Sequence, residues 1–377
     1  MVRLIFLLVI LNLYPLTGFG DTLIKGSKGN LINARIITKF YNPWAMTFIS
    51  ESQMLVSSKE GKLWLVSTNG EKLEVGGVPK AVVAGQGGLG DIVIHPNFKD
   101  NGYVYLSLVE RATDDDSYTG AVVYRAKLNF NGGPTLKKPT LIWTQLPKVQ
   151  GSGHFSHKIV FGPGGSKHEG KLFISSGDRQ KQLPAQSFYS GLGKIIRINQ
   201  DGTVPTDNPF QDTGELGKTF WSLGHRNILG IAFDKEGRLW ANEMGPRHGD
   251  ELNIILRGEN YGWPLVSEGN HYNGVEIPRH NTQPKFVPPK LFWVPTIAPS
   301  GLFFYSGDQF AEWKGHAFMG GLRSQALIRV KVENLSAVEA ERFNWGSRIR
   351  EVEQGPDGSI WVLEDGPSGR LIQLSKP

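Results

Sequence analysis

The sequence predicts an all-β chain folded as a six-bladed β-propeller, and three observations carry that reading. The first is a repeat. WAMTFISESQMLVSSKEGKLWLVS, GDIVIHPNFKDNGYVYLSL, KIVFGPGGSKHEGKLFISSGD, GIAFDKEGRLWANE, GLFFYSGDQFAEWKGHAFMGG and REVEQGPDGSIWVLED each run from an apolar strand into a turn and back along alternating apolar residues. Period-2 alternation around a turn marks a hairpin, and six related hairpins in one chain mark radial repetition, one per blade. The second is composition: 47 glycines and 22 prolines beside 39% hydrophobic and 11% aromatic residues describe many short strands joined by turns. The third is continuity. No stretch of the 377 residues reads as a linker, and closed all-β folds often exceed the usual domain size, so one domain is expected.

In chain order, residues 1–20 have the layout of a secretory signal, with Arg3, an apolar run from Leu4 to Leu13 interrupted by Asn12, and small residues Gly18 and Gly20. The run falls short of the roughly 20 residues a spanning helix needs, so no stable membrane anchor is expected. Cleavage before Asp21 leaves residues 21–377 as the propeller domain, periplasmic or secreted. The chain has no cysteine, so neither a disulfide framework nor a lipid-accepting thiol is available. A net charge of +6 comes from dispersed lysines and arginines, without the basic runs and interleaved aromatics of a nucleic-acid surface. The hairpins are unevenly spaced, which makes residues 178–189 and 267–295 insertions, and such loops on one propeller face build a site.

The densest chemistry lies between Trp221 and Trp263. Arg226 offers a rigid fork of donors to a carboxylate or quinone oxygen, while carbonyls at the Gly245-Pro246 turn and the Glu251 carboxylate suit a hard cation such as calcium. Asp250 and Glu251 would otherwise be a solvated turn, the usual state of such residues. Tyr261 adds a phenol. Elsewhere, Gln86 sits in a glycine-rich loop that allows close backbone approach, and His95 reads as a turn cap before Pro96. His154 and His157 form an H-x-x-H pair, yet no third ligand follows at zinc-binding spacing. Asp178 either orients a ring nitrogen or caps its loop; the loop cap is the expected role. Arg348 and Arg350, two apart on a strand, aim toward one face.

The segments GHRNILGIAFD, NEMGPRHGDELN and NYGWPLVSEGNHYNG resemble the soluble, quinone-dependent glucose/sorbosone dehydrogenase family, in its bacterial aldose sugar dehydrogenase branch, and the similarity extends over residues 44–374. The resemblance implies a six-bladed propeller that binds pyrroloquinoline quinone (PQQ) and calcium, oxidises aldoses at C1 to lactones and passes electrons to a separate acceptor, as a monomer or homodimer. Carried over residue by residue, it makes His154 the general base, Arg226 the electrostatic catalyst, and Gln86, Asn227 and Tyr272 cofactor contacts. The carbonyls of Gly245 and Pro246 would ligate the calcium beside PQQ, and Glu251 and Tyr261 a second calcium. Arg323, Arg348 and Arg350 would meet the cofactor's carboxylates. The sequence departs from the family where Arg323 replaces a lysine, and where Gly153 stands in place of an aspartate before the catalytic histidine, so the carboxylate that orients His154 is left open. Two alternatives remain: a calcium-centred propeller lactonase or esterase, whose acidic ligands would converge on the axis, and a non-catalytic propeller that binds sugar or protein.

Overall fold

A computed structural model describes residues 21–377; the expected signal segment, residues 1–20, lies outside them. Six antiparallel sheets are arranged as blades: residues 43–74, 89–144, 156–223, 228–293, 299–344, and a sixth at 349–375 that also takes in strands from the N-terminal side. Their innermost strands are Pro43–Phe48, Leu89–Ile94, Ser156–Phe161, Ile228–Phe233, Pro299–Phe304 and Ile349–Gln354. Each touches the next and the last touches the first, which closes a ring around an axis. Five of the six repeats legible in the sequence are the two inner strands of a blade, and the first also takes in its third strand, Lys62–Ser67.

Alternation explains the packing. Side chains on opposite faces of a blade enter the two neighbouring interfaces, so apolar layers form between blades. Trp44, Leu55, Leu89, Leu106 and Val122 form one such layer between the first and second blades, and Trp240, Leu252, Leu302, Met319 and Ile328 another between the fourth and fifth. Trimming one of these buried side chains to alanine costs about 2–5 kcal/mol.

The ring is closed by strands from distant parts of the chain. Leu31–Phe40 pairs with Gly369–Ser375, Ala34 opposite Leu374, and Thr22–Lys25 extends the same sheet. Glu341 of the fifth blade holds the entering segment, accepting from Lys28 N at 3.1 Å, Asn30 Nδ2 at 2.7 Å and Arg329 Nη2 at 2.8 Å.

Two expected loops are more than loops. Residues 178–189 contain the 3-10 turn Leu183–Gln186, and residues 267–295 contain Leu291–Trp293, the outermost strand of the fourth blade. His95 is the expected cap: its Nδ1 accepts from Asn97 N at 2.9 Å, where the chain enters the short helix Phe98–Asn101. Among the described residues no helix is long and apolar enough to cross a membrane.

Near the axis, Lys158 is buried and donates to Asp91 Oδ1 at 2.7 Å and to Glu351 Oε2. Three innermost strands thereby meet through one ammonium group. The two carboxylates raise the Lys158 pKa against the opposing pull of burial.

Candidate functional site

A cleft opens where the N-terminal ends of the six innermost strands converge. It encloses about 1070 Å³ with its mouth, and every blade entry contributes to its wall: Trp44, Gln86, Ser156, Asn227, Ala298 and Arg350. Arg348 and Arg350 reach Asp365 from one side, through Arg348 Nε at 2.7 Å and Arg350 Nη2 at 2.8 Å, as their spacing anticipates. Arg348 lies just before the strand, not within it. Burial would raise the Asp365 carboxyl, but Arg350 and Arg348 hold it below the usual range. The Arg350 guanidinium lies over Trp44 at 4.4 Å, and Lys59 lines the same wall, its Nζ donating to Gly85 O. The cleft lining thus holds three cations and one carboxylate, which leaves the wall positive and suited to an anionic ligand.

Beside the cleft, His154 is 7% exposed, and Gln86 Oε1 accepts its backbone N–H at 2.7 Å. Its ring meets Asp178, with Nδ1 and Oδ1 2.7 Å apart. A carboxylate only accepts, so Nδ1 carries hydrogen and Nε2 is the nitrogen left to take a proton. Burial lowers the His154 pKa from its ordinary value; Arg226 and Arg179 push the same way and Asp178 opposes them. Burial would raise the Asp178 carboxyl, but the hydrogen bond and charge of His154, with Arg226, bring it below the usual range. The expected loop-capping role of Asp178 is therefore half of the finding: Oδ1 also accepts from Gln180 N at 2.8 Å, while the same carboxylate orients the imidazole. With Gly153 rather than an acid before His154, Asp178 is the carboxylate that meets the ring.

The backbone here is strained, with positive φ at His154 (48°), Ser156 (59°), His157 (56°), Arg179 (53°) and Gln180 (60°). Non-glycine residues hold such angles only where their surroundings over-determine them. His157 is a separate buried element. Its Nδ1 is 2.7 Å from Ser107 Oγ, its ring stacks on Trp44, and burial lowers its pKa to about 3. Among the described residues no group of three or more His, Cys, Asp or Glu side chains is placed to hold a metal, and the two histidines of the H-x-x-H pair turn to different partners, Asp178 and Ser107.

Arg226 is 5% exposed and held from three sides. Its N–H donates to Glu243 Oε2 at 2.8 Å, Nη1 to Met244 O at 3.0 Å and Nη2 to Tyr272 Oη at 3.2 Å, with Trp263 beneath the guanidinium at 5.2 Å. Asn227 is buried, accepts from Ser156 Oγ at 3.1 Å and lines the cleft. Tyr272 is 72% exposed, in contact with Arg226 and not with the core.

A small recess next to Arg226 is lined by Glu243, Gly245, Pro246, Glu251 and Tyr261. Asp250 and Glu251 are both buried, which rules out a solvated turn. Asp250 is saturated, accepting from Gly245 N at 2.9 Å, Ile297 N at 2.7 Å and Ala298 N at 2.8 Å. Glu251 is not: burial, then the charge of Glu243, raises its pKa well above the carboxylate range. Two buried carboxylates beside a carbonyl turn, without an adjacent lysine or arginine bonded to Glu251, are a donor set a hard cation fits. The phenol of Tyr261 is not part of that set. Its hydroxyl accepts from Leu256 N at 2.8 Å and donates to Ile254 O, which leaves only the main-chain carbonyl, itself 3.2 Å from His280 Nε2, for a cation.

Arg323 stands exposed in the turn between Ala317–Gly321 and Ala326–Glu333 and does not line the cleft. Lys59, Trp44 and Asp365 do line it and carry no local signal of their role, because each lies in ordinary hairpin sequence.

The glucose/sorbosone dehydrogenase family model matches residues 40–373. Aldose sugar dehydrogenase YliI of Escherichia coli K12 is 34% identical, over 91% of this chain and 93% of that protein. The apo-form crystal structure of the soluble aldose sugar dehydrogenase of Escherichia coli superposes with a TM-score of 0.84 at 32% identity, covering 92% of this chain and all of the other. The PQQ-bound aldose sugar dehydrogenase of Streptomyces coelicolor gives 0.75 at 26%, covering 93% and 98%. With a family match from the first blade into the last, and a relative this similar over nine-tenths of both sequences, the chain belongs to the glucose/sorbosone dehydrogenase family.

Proposed function

We propose that the protein is an exported aldose dehydrogenase that oxidises the C1 hydroxyl of a sugar to the lactone with PQQ and calcium, and hands the electrons to a separate acceptor. The observation that carries the reading is the His154–Asp178 pair at 2.7 Å beside a cleft whose wall presents Lys59, Arg348 and Arg350. A tricarboxylate cofactor needs several cations, and an alcohol oxidised by hydride loss needs a nearby base.

PQQ, when bound, supplies the acceptor for hydride from C1. The chain's own residues do the rest. His154, fixed through Nδ1, takes the hydroxyl proton at Nε2. Its lowered pKa keeps it neutral and ready at neutral pH. Arg226 stabilises negative charge developing on a carbonyl oxygen beside it, and its clamp by Met244 and Tyr272 removes the need to reorganise. Gln86 and Asn227 line the cleft as amide contacts, and Tyr272 covers the Arg226 side. The carbonyls of Gly245 and Pro246 would hold the calcium that meets the cofactor, while Glu251 and the Tyr261 carbonyl would hold a second. Arg323 would join the cofactor's carboxylates only by reaching in from its turn.

The axis favours this reading over a calcium-centred hydrolase. Asp91 and Glu351 do converge there, but the Lys158 ammonium occupies the place between them that a cation would need. Residues 1–20 are proposed to be removed before Asp21 on export.

The test is reconstitution. Apo-protein mixed with PQQ and calcium should give a bound quinone spectrum that sugars convert to the reduced form. A chelator should remove PQQ along with the ion. Stoichiometric PQQ binding with calcium rigorously absent would overturn the bridging role given to Gly245 and Pro246, and a bound quinone that no aldose reduces would overturn the activity.

A further inference from the structure

The residue after Asp178 has no assigned role, and its setting is unusual. Arg179 is 1% exposed, among the largest fully buried side chains of the described residues. Its partners are not acids. Nε donates to Gly153 O at 2.9 Å, Nη1 to Thr119 O, and Nη2 to Thr119 Oγ1 at 3.2 Å and to Gly151 O. Its backbone N–H meets His154 O at 3.3 Å, and its guanidinium plane lies 3.7 Å from the Phe155 ring centroid. Every one of these contacts falls on the residues that lead into and out of His154, or on the second-blade strand beside them.

We infer that Arg179 is a positioning residue that, with Asp178, clamps His154 from two directions: the carboxylate fixes the ring, and the guanidinium fixes the backbone of residues 151–155 that carries it. The inference rests on the base assignment made above. A buried cation without a bonded carboxylate is a poor way to fill space, since an apolar side chain of similar volume does that without desolvating a charge. What the guanidinium adds is a planar fork, several donors at fixed angles, that pins the carbonyls of Gly151 and Gly153. Those carbonyls lie immediately before a run of residues at positive φ, where the backbone needs to be over-determined to stay in place. Burial lowers the Arg179 pKa to about 10, which leaves it charged at neutral pH. The charged groups facing His154 are Asp178, Arg226 and Arg179, so Arg179 has a second effect, helping to keep the imidazole neutral.

The two effects separate in two variants. Arg179→Gln removes fork and charge; Arg179→Lys keeps the charge and loses the fork. In enzyme reconstituted with PQQ and calcium, both should lose roughly 100-fold in the rate of sugar-dependent quinone reduction with KM little changed, the scale expected when a base is displaced by about 1 Å. In the cofactor-free protein, the His154 imidazole followed by nitrogen NMR should titrate at higher pH in Arg179→Gln and at the wild-type pH in Arg179→Lys. Thr119→Val, which removes one acceptor hydroxyl and leaves Arg179 in place, should show a smaller rate loss and keeps the question open to test if Arg179→Gln fails to fold. Wild-type reduction rates in Arg179→Lys and Thr119→Val, with only a lowered Tm, would overturn the inference and leave Arg179 as scaffolding. A wild-type protein whose bound quinone no sugar reduces would instead overturn the proposed activity, with the His154 titration still reporting on the clamp.

Discussion

Trp263 donates its indole N–H to Asp178 Oδ2 at 2.7 Å, so the carboxylate that faces His154 with one oxygen is anchored with the other to a loop of the next blade. Removing the donor leaves that oxygen buried and unpaired. Trp263→Phe keeps most of the ring under Arg226 and should cost about 1.5–3 kcal/mol, the worth of a hydrogen bond to a charged group. Sugar-dependent turnover should fall with it. A Trp263→Phe protein with unchanged denaturation midpoint and unchanged turnover would show the anchor to be idle.

His154→Ala should still bind cofactor and ion, because the contacts proposed for both lie on other residues, while quinone reduction slows by roughly 100-fold to 10,000-fold, the range for losing a positioned proton acceptor. Stopped-flow reduction measures it directly. Near wild-type rates would place the base elsewhere.

The pH profile follows from the direction of the His154 shift. The proposed base works neutral, and burial lowers the His154 pKa below the ordinary 6.5. The acid limb of kcat/KM should therefore lie below 6.5, with activity persisting as pH falls through that value and disappearing lower. A limb at or above 6.5 would mean that Asp178 outweighs burial and the two arginines.

Lys158→Met leaves Asp91 and Glu351 facing each other in the axial core without their shared cation. Breaking a buried pair from one side costs about 3–5 kcal/mol. Adding Asp91→Asn and Glu351→Gln to that variant should recover most of the loss, since the repulsion is then gone. Chemical denaturation of the single and triple variants checks this, and equal stability of wild type and Lys158→Met would rule out the axial tie.

The sequence makes the six inner hairpins plain because their two faces enter apolar interfaces and so alternate strictly. Ring closure was not legible: Ala34 and Leu374 are opposite each other, yet nothing local in LINARIITKF names a partner that distant. The same limit governed the site. Arg226, Asn227, Gly245 and Glu251 sit in one dense stretch and stand out. Lys59, Trp44 and Asp365 are each unremarkable in sequence and become a wall only when the first and the last blade are brought side by side. At Tyr261 the residue type draws the eye to the phenol, whereas the fold turns that hydroxyl toward Ile254 and Leu256.

The sixth blade has a consequence for the order of events in the cell. Its sheet pairs Leu31–Phe40 with Gly369–Ser375, two segments at opposite ends of the propeller's sequence, so the circle cannot shut until both have been made. Until then Leu31–Phe40 has Thr22–Lys25 on one side and no neighbour on the other, and the cleft, which draws on all six blade entries, is incomplete. Closure of the ring and completion of the cleft wall are therefore one event, because Arg350 and Asp365 enter that wall from the same sheet that Leu31–Phe40 completes.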